Sequence, residues 1–242
     1  FTKMGVPNGD MAMFTSLLYL PWMIKPFWSP FVDIFKTKRW WTVVMQILMT
    51  VAFALTIFSI PTPTEEMLAT QSTPISMFYV TLILFVVTAF ASATHDIAAD
   101  GFYMLALKQN EQAAFVGIRS TFYRLSSIFG QGVLVTLAGL IETNTGNIPM
   151  SWRITMIVTA VIFAICSLYH TFMLPRPTTD ISSLKDEKPT VGAIFMEFGR
   201  TFATYFKKSG VWLAIVFMLL YRLPEAFLIK MCMPFLVASK ET

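Results

Sequence analysis

Apolar residues along this chain gather into six long runs separated by short polar or proline-bearing connections. The runs lie near Met11–Phe35, Trp41–Ile60, Ser76–Ala99, Ala113–Ile141, Trp152–Leu174 and Gly210–Val237. Each meets the roughly 20 residues that a membrane-spanning helix needs, so the pattern predicts six transmembrane helices. Pro21, Pro26, Pro30 and Pro224 fall inside runs. Neighbouring helices and water can satisfy the backbone groups a proline frees, and broken helices are common around transport sites.

The connections differ in charge. The first carries Lys36, Lys38 and Arg39, and the second carries Glu65 and Glu66 with no Lys or Arg. Lys108 lies in the third; the fourth, Glu142–Ser151, has no basic residue, although Arg153 follows at its edge. The fifth holds Arg176, Lys185, Lys188, Arg200, Lys207 and Lys208. Basic connections face the cytoplasm, so the odd-numbered ones are expected inside and both chain ends outside. The fifth connection also differs in kind. It opens on Pro-Arg-Pro and a polar stretch that reads as a flexible linker. It continues with Ile194, Phe195, Phe198, Phe202 and Phe206 at helical spacing, among Glu197, Arg200 and Lys207, which predicts an amphipathic helix on the inner membrane surface. The expected organisation is a helical bundle over residues 1–175, a linker with the amphipathic helix over 176–209, and a further helix over 210–242.

Composition agrees with this picture. Of 242 residues, 55% are hydrophobic and 13% charged, against about 25% charged in soluble domains. A net charge of +4, scattered along the chain, gives no basis for nucleic-acid binding. Cys166 and Cys232 lie in apolar runs without metal or redox spacing and read as core packing. The chain starts at Phe1 and stops just past an apolar run, and is read as a piece of a longer protein.

Charges inside the runs carry the candidate chemistry. A charge at bilayer depth costs roughly 2.5–3.5 kcal/mol on insertion scales and usually faces a cavity or a partner. At about 1.5 Å per residue, Lys25, Arg124, Arg222 and Glu225 all fall near mid-membrane. Lys25, Arg124 and Arg222 form a candidate site for an anionic substrate, the guanidinium forks gripping carboxylates or phosphates. The alternative is that Lys25 and Arg124 pair with acids on helices outside this chain and only hold the bundle together. Glu225 suits reversible protonation and is a candidate proton carrier; a structural pair with Arg222 is its alternative. Asp96 and Asp100, four residues apart, share a helix face near the expected cytoplasmic end of their run. They are candidates for proton coupling (Asp96) and gating (Asp100), or for holding Arg39 or Arg119. His95 can titrate near neutrality, His170 reads as interfacial, and Ser126 and Gly130 allow close helix contact.

Three stretches carry a family resemblance: residues 25–35 (KPFWSPFVDIF) ahead of 37–41 (TKRWW) and Gln46, residues 93–102 (ATHDIAADGF), and residues 122–132 (FYRLSSIFGQG). In order and spacing they resemble helices 2 to 5 of the major facilitator superfamily, in the group holding AmpG muropeptide permeases and acetyl-coenzyme A transporters. The resemblance implies an all-α membrane fold, a fragment covering helices 2 to 7 without the first. Ser29 stands where the family's loop motif begins with glycine, while Asp33 and the pair Lys38–Arg39 keep its acid and basic ends. His95 replaces a common Gln, and Asp100–Gly101 leans toward the acetyl-coenzyme A transporters. By the resemblance, Asp33, Lys38 and Arg39 form a latch that holds one conformation.

The function expected is therefore secondary transport across an inner membrane by a multi-pass, monomeric protein with a cytoplasmic linker. Its mode would be proton-coupled import (symport) of a small anionic solute such as an anhydro-muropeptide, with acetyl-coenzyme A or another anionic metabolite as the alternative. No Walker loop, G-x-S-x-G elbow, H-E-x-x-H or Cys/His cluster occurs, so neither an enzyme nor a cofactor is expected. A membrane enzyme using Asp96, Asp100 and His95, or a transport-dead sensor, are the readings from other classes.

Overall fold

The computed structural model describes residues 2–181, 191–221 and 223–224. It divides into two units, Phe1–Asp186 and Glu187–Thr242. In the first, α1 (Asn8–Leu17) and α2 (Leu20–Ile34) lead to α3 (Lys38–Ser59), the short α4 (Glu65–Thr70) and α5 (Tyr79–Ala106), which a 3-10 turn at Ile75–Phe78 precedes. Next come α6 (Gln109–Ile128), a π-helical stretch at Phe129–Leu134, α7 (Val135–Thr145) and α8 (Ile148–Met173). In the second unit, α9 (Val191–Phe206) is followed by α10 (Val211–Tyr221). Among the described residues every regular element is a helix.

Local chemistry sets the boundaries. Thr37 caps α3, its hydroxyl accepting from the Trp40 amide at 3.1 Å, and Pro61 and Pro63 lie just past its end. Asn147 caps α8 by accepting from the Met150 amide at 2.9 Å, and Pro175 follows its last turn. Four helical stretches are long and apolar enough to cross a membrane: Lys38–Ser59, Ile75–Ala106, Gln109–Thr145 and Ile148–Met173. They coincide with the second to fifth predicted runs. The first run is not one helix. It breaks between α1 and α2, because Pro21 cannot donate to the carbonyl of Leu17 and its ring crowds that turn.

The bundle is centred on α3, which packs along α5 on one side and α8 on the other; α2 lies against α5, and α7 against α8. Small residues allow close approach: Ala52 on α3 and Ala91, Ala93 and Ala98 on α5 are buried. Hydroxyls link the helices where apolar packing leaves off. Thr81 donates to the Ser59 carbonyl at 2.7 Å, and the Thr50 and Ser167 hydroxyls lie 3.1 Å apart. Two apolar clusters close the bundle. One gathers Met4, Val6, Ile60 and Phe78. The other gathers Val32, Ile97 and Ala98 with Trp28 and Trp41. No residue of α6 is buried, so much apolar surface on this helix faces outward, as a lipid-embedded protein requires.

Cys166 departs from its expected place in the packed core: it is exposed and lines a cavity. Cys232 lies outside the described residues. Ser126 and Gly130 likewise make no tight helix contact. A Cβ built at Gly130 meets nothing within 4 Å, and both residues line the same cavity.

Candidate functional site

Helices α2, α5 and α6 bring four charges together. Lys25 on α2 forms an ion pair with Asp96 on α5. Arg119 on α6 reaches the other oxygen of Asp96 at 3.1 Å, and its second terminal nitrogen pairs with Asp100. One guanidinium can serve both acids because positions four apart share a helix face. Lys25 and Arg119 contribute +2 and the two aspartates −2, so the set is neutral. Lys25 and Asp96 are 24% and 27% exposed, Asp100 33% and Arg119 49%. The Lys25 ammonium also stands 5.6 Å from the centre of the Trp22 ring, within cation–π range.

Three of the four lie at one depth. Lys25 is about nine residues from the end of α2 and Asp96 about ten from the end of α5, and Arg119 is about ten past the start of α6. At 1.5 Å per residue all three sit about 14–15 Å from that end of the bundle, near mid-bilayer. The sequence placed Asp96 and Asp100 near a helix end because the apolar run fades at Ala99. The helix continues to Ala106 and carries Asp96 to the level of Lys25.

Two polar atoms beside the set lack protein hydrogen-bond partners among the described residues: His95 Nε2 and Trp28 Nε1, both buried. Burying such an atom unpaired costs about 1–3 kcal/mol. Trp28 packs on Phe90, ring centres 5.4 Å apart.

A second constellation closes the Lys38 end of the bundle. Lys38 pairs with Asp33 across the turn between α2 and α3, in which Lys36 adopts a left-handed conformation with φ 58°. The Lys38 side chain crosses α5 over Gly101, where a Cβ would lie 3.0 Å from Cε and 3.2 Å from Cδ. Packing alone therefore explains the glycine after Asp100. Arg39 does not reach Asp96 or Asp100. Its guanidinium donates to the carbonyls of Thr171, at 2.6 Å, and Leu174, at 3.2 Å, the unpaired acceptors at the end of α8. Asp180 accepts from the Lys38 and Arg39 amides at 2.8 and 3.0 Å and so caps α3, and Thr179 donates to the Leu105 carbonyl at 3.3 Å. The start of the stretch expected to be a flexible linker is thus strapped across the ends of α3, α5 and α8.

A cavity of about 600 Å³ lies between α6 and its π-helical extension on one side and α3 and α8 on the other. Gln46 and His170 hydrogen-bond across its wall at 2.8 Å, so His170 turns inward rather than sitting at the surface as an interfacial residue.

Arg124 is exposed on α6 and makes no ion pair among the described residues. Arg222 and Glu225 lie outside the described residues. The structure therefore joins Lys25 to Asp96, Asp100 and Arg119 rather than to Arg124. Arg119 entered the sequence reading only as a possible partner for the aspartates. Its position ten residues into α6, level with Lys25 and Asp96, is the signal that places it.

The Major Facilitator Superfamily model matches residues 5–237. The chain belongs to that superfamily. Superfamily membership, with the four apolar helices, makes this a multi-pass membrane protein of a transporter family rather than an enzyme family. Among curated relatives, the anhydromuropeptide permease of Escherichia coli is 28% identical over 241 residues, covering 97% of this chain and 43% of the permease. The putative transporter AmpG 4 of Rickettsia felis is 26% identical over 245 residues, covering 94% of this chain and 52% of its own length. Its namesake in Rickettsia conorii is 28% identical over 245 residues. The chain spans about half the length of the curated relatives it matches. No solved structure matches it.

Proposed function

We propose that the full-length protein is a secondary active transporter of an inner membrane that imports an anionic solute together with protons. The observation that carries this reading is the neutral network of Lys25, Asp96, Arg119 and Asp100 at the depth where such transporters hold cargo. Two cations already satisfied by two carboxylates attract an anion weakly. A proton on Asp96 leaves the network with a charge of +1 and releases both Lys25 and one arm of Arg119. The freed guanidinium and ammonium then take a carboxylate or phosphate of the cargo. Proton and anion each favour the other's binding, and by linkage the coupling is reciprocal.

The relatives named as permeases for anhydromuropeptides support a muropeptide as the cargo. Arg124 and Arg222 are further candidates to grip its anionic groups, and Glu225 to carry a second proton. Asp33, Lys38 and Arg39 act as a gate at the cytoplasmic end, with Asp100 linking gate and network. Both sit on or against one stretch of α5, since the Lys38 chain lies on Gly101 beside Asp100.

The test is uptake of labelled anhydro-muropeptide by the full-length protein in proteoliposomes under an imposed pH gradient. Accumulation should rise with the gradient and vanish in Arg119→Gln and Lys25→Gln variants that still purify folded in detergent. Uptake indifferent to the gradient would overturn the coupling. Preferential uptake of a coenzyme A thioester would overturn the cargo.

A further inference from the structure

The described residues of the second unit form two helices at a sharp corner. The segments Phe198–Phe206 and Val211–Tyr221 meet at 83°. Gly210, with φ 80°, supplies the left-handed turn that a residue with a side chain rarely adopts. Phe195, Phe198, Phe202 and Phe206 fall along one stripe of α9. The rings of Phe198 and Phe202 are 4.9 Å apart, and the ring of Phe206 reaches Trp212 across the corner at 5.4 Å. Arg200 and Thr204 lie on the opposite side of the helix, and Lys207 and Lys208 stand exposed at the corner itself.

Three arrangements in a membrane are open to such a pair: one broken span, a re-entrant loop, or a helix on the surface joined to a helix that enters. In a broken span or a re-entrant loop the corner sits at bilayer depth. Lys207 and Lys208 would then both bear the insertion penalty that makes Lys25 exceptional, and here with no acid paired to them among the described residues. In the third arrangement the corner lies at the headgroups. α10, apolar and carrying Trp212 just past the corner as an interfacial aromatic, then enters the membrane. The 83° angle lays α9 nearly parallel to the surface, with its phenylalanine stripe toward the acyl chains and Arg200 toward water.

We infer that α9 is a lipid-docking helix whose phenylalanine face embeds in one membrane surface and whose Lys207–Lys208 corner holds anionic lipid headgroups. An ammonium near an anionic surface favours such lipids by about fivefold per residue. Tyr205 and Phe206, both exposed beside the lysines, fill the boundary region between headgroup and chain.

The experiment uses the full-length protein with every native cysteine, Cys166 and Cys232 among them, replaced by serine and one fluorophore attached at Phe195→Cys or Arg200→Cys. The protein is placed in phosphatidylcholine vesicles, with and without equimolar phosphatidylglycerol, containing lipids brominated at shallow or deep chain positions. The label at position 195 should be quenched by shallow bromines and the label at 200 should not. Brominated phosphatidylglycerol should quench position 195 several-fold better than brominated phosphatidylcholine, and Lys207→Gln/Lys208→Gln should abolish that preference. An unquenched position 195 means the face packs on protein and overturns the inference. Quenching of both positions by deep bromines means a broken span and overturns it equally. Quenching at 195 with no headgroup preference overturns the role of the lysines. None of these readouts depends on transport, so the result stands apart from the proposed function.

Discussion

Replacing Lys25 by methionine tests the charge network at its least exposed cation. The variant keeps the unbranched chain as far as Cε and removes the charge, leaving Asp96 to Arg119 alone and the network at −1. Breaking a fully buried pair costs about 3–5 kcal/mol. Here each partner keeps about a quarter of its surface in contact with the surroundings, and Arg119 still compensates Asp96. Solvent screening and the second cation reduce the expected loss to about 1–2 kcal/mol. Asp96→Asn leaves the network at +1 and should cost a similar amount. The double variant restores neutrality, with Arg119 paired to Asp100, and should cost less than the sum by about 1 kcal/mol or more. The assay is thermal unfolding of the purified full-length protein in one detergent, read as the shift for each single variant and for the pair. Strictly additive shifts would refute the argument, because they would mean that Lys25 and Asp96 do not compensate each other.

Other outcomes follow from contacts at the Lys38 end. Asp180→Ala should remove the cap of α3 at a cost of about 1–2 kcal/mol and speed hydrogen exchange at the Lys38 and Arg39 amides, while Asp180→Asn keeps an acceptor and loses less; unchanged exchange in the alanine variant would show that the strap does not hold. Arg39→Lys should destabilise by about 1 kcal/mol, since an ammonium cannot span the Thr171 and Leu174 carbonyls as the guanidinium fork does; a melting temperature equal to wild type would contradict this. Gly101→Ala should be nearly neutral, because the gain of about 1 kcal/mol in helix propensity offsets the displacement of a flexible lysine chain. Gly101→Val should destabilise, and Lys38→Ala should relieve most of that loss; no relief would remove Lys38 from the contact.

The parts of this molecule that were legible in the sequence are those set by local pattern. Four long apolar runs gave four spanning helices, three of them with both ends within about four residues, because hydrophobic length is a property of each run alone. Depth was less legible. Asp96 looked terminal because apolarity fades at Ala99, yet packing against α2 and α3 keeps α5 helical to Ala106. The azimuth of one helix against another was not legible. Counting residues puts Lys25 and Arg119 at comparable depths, but only the packing of α2, α5 and α6 decides that Arg119 meets the aspartates. Asp180 was hidden for a similar reason. It sits in a Ser/Thr/Asp/Lys stretch with the composition of a linker, and its partners are the amides of Lys38 and Arg39, more than a hundred residues away in sequence. The break before α2 was signalled by Pro21, whose effect on the turn before it outweighed the continuity of the apolar run.

The charge network also changes what the membrane charges mean. Taken by depth alone, Lys25, Arg124 and Arg222 form a cationic site open to an anion at all times. With Lys25 and Arg119 held by Asp96 and Asp100, the proposed mechanism makes the cationic character conditional on a proton. Asp96 is the acid shared by both cations, so it is the group whose charge state matters most to the others.

Asp96→Asn in the full-length protein, assayed in proteoliposomes for both gradient-driven accumulation and solute exchange at equal pH, tests this most directly. The network is then fixed at +1 and ready for anion without a proton. Exchange of labelled anhydro-muropeptide should continue while accumulation no longer responds to the pH gradient. Accumulation that still follows the gradient as in wild type would contradict it.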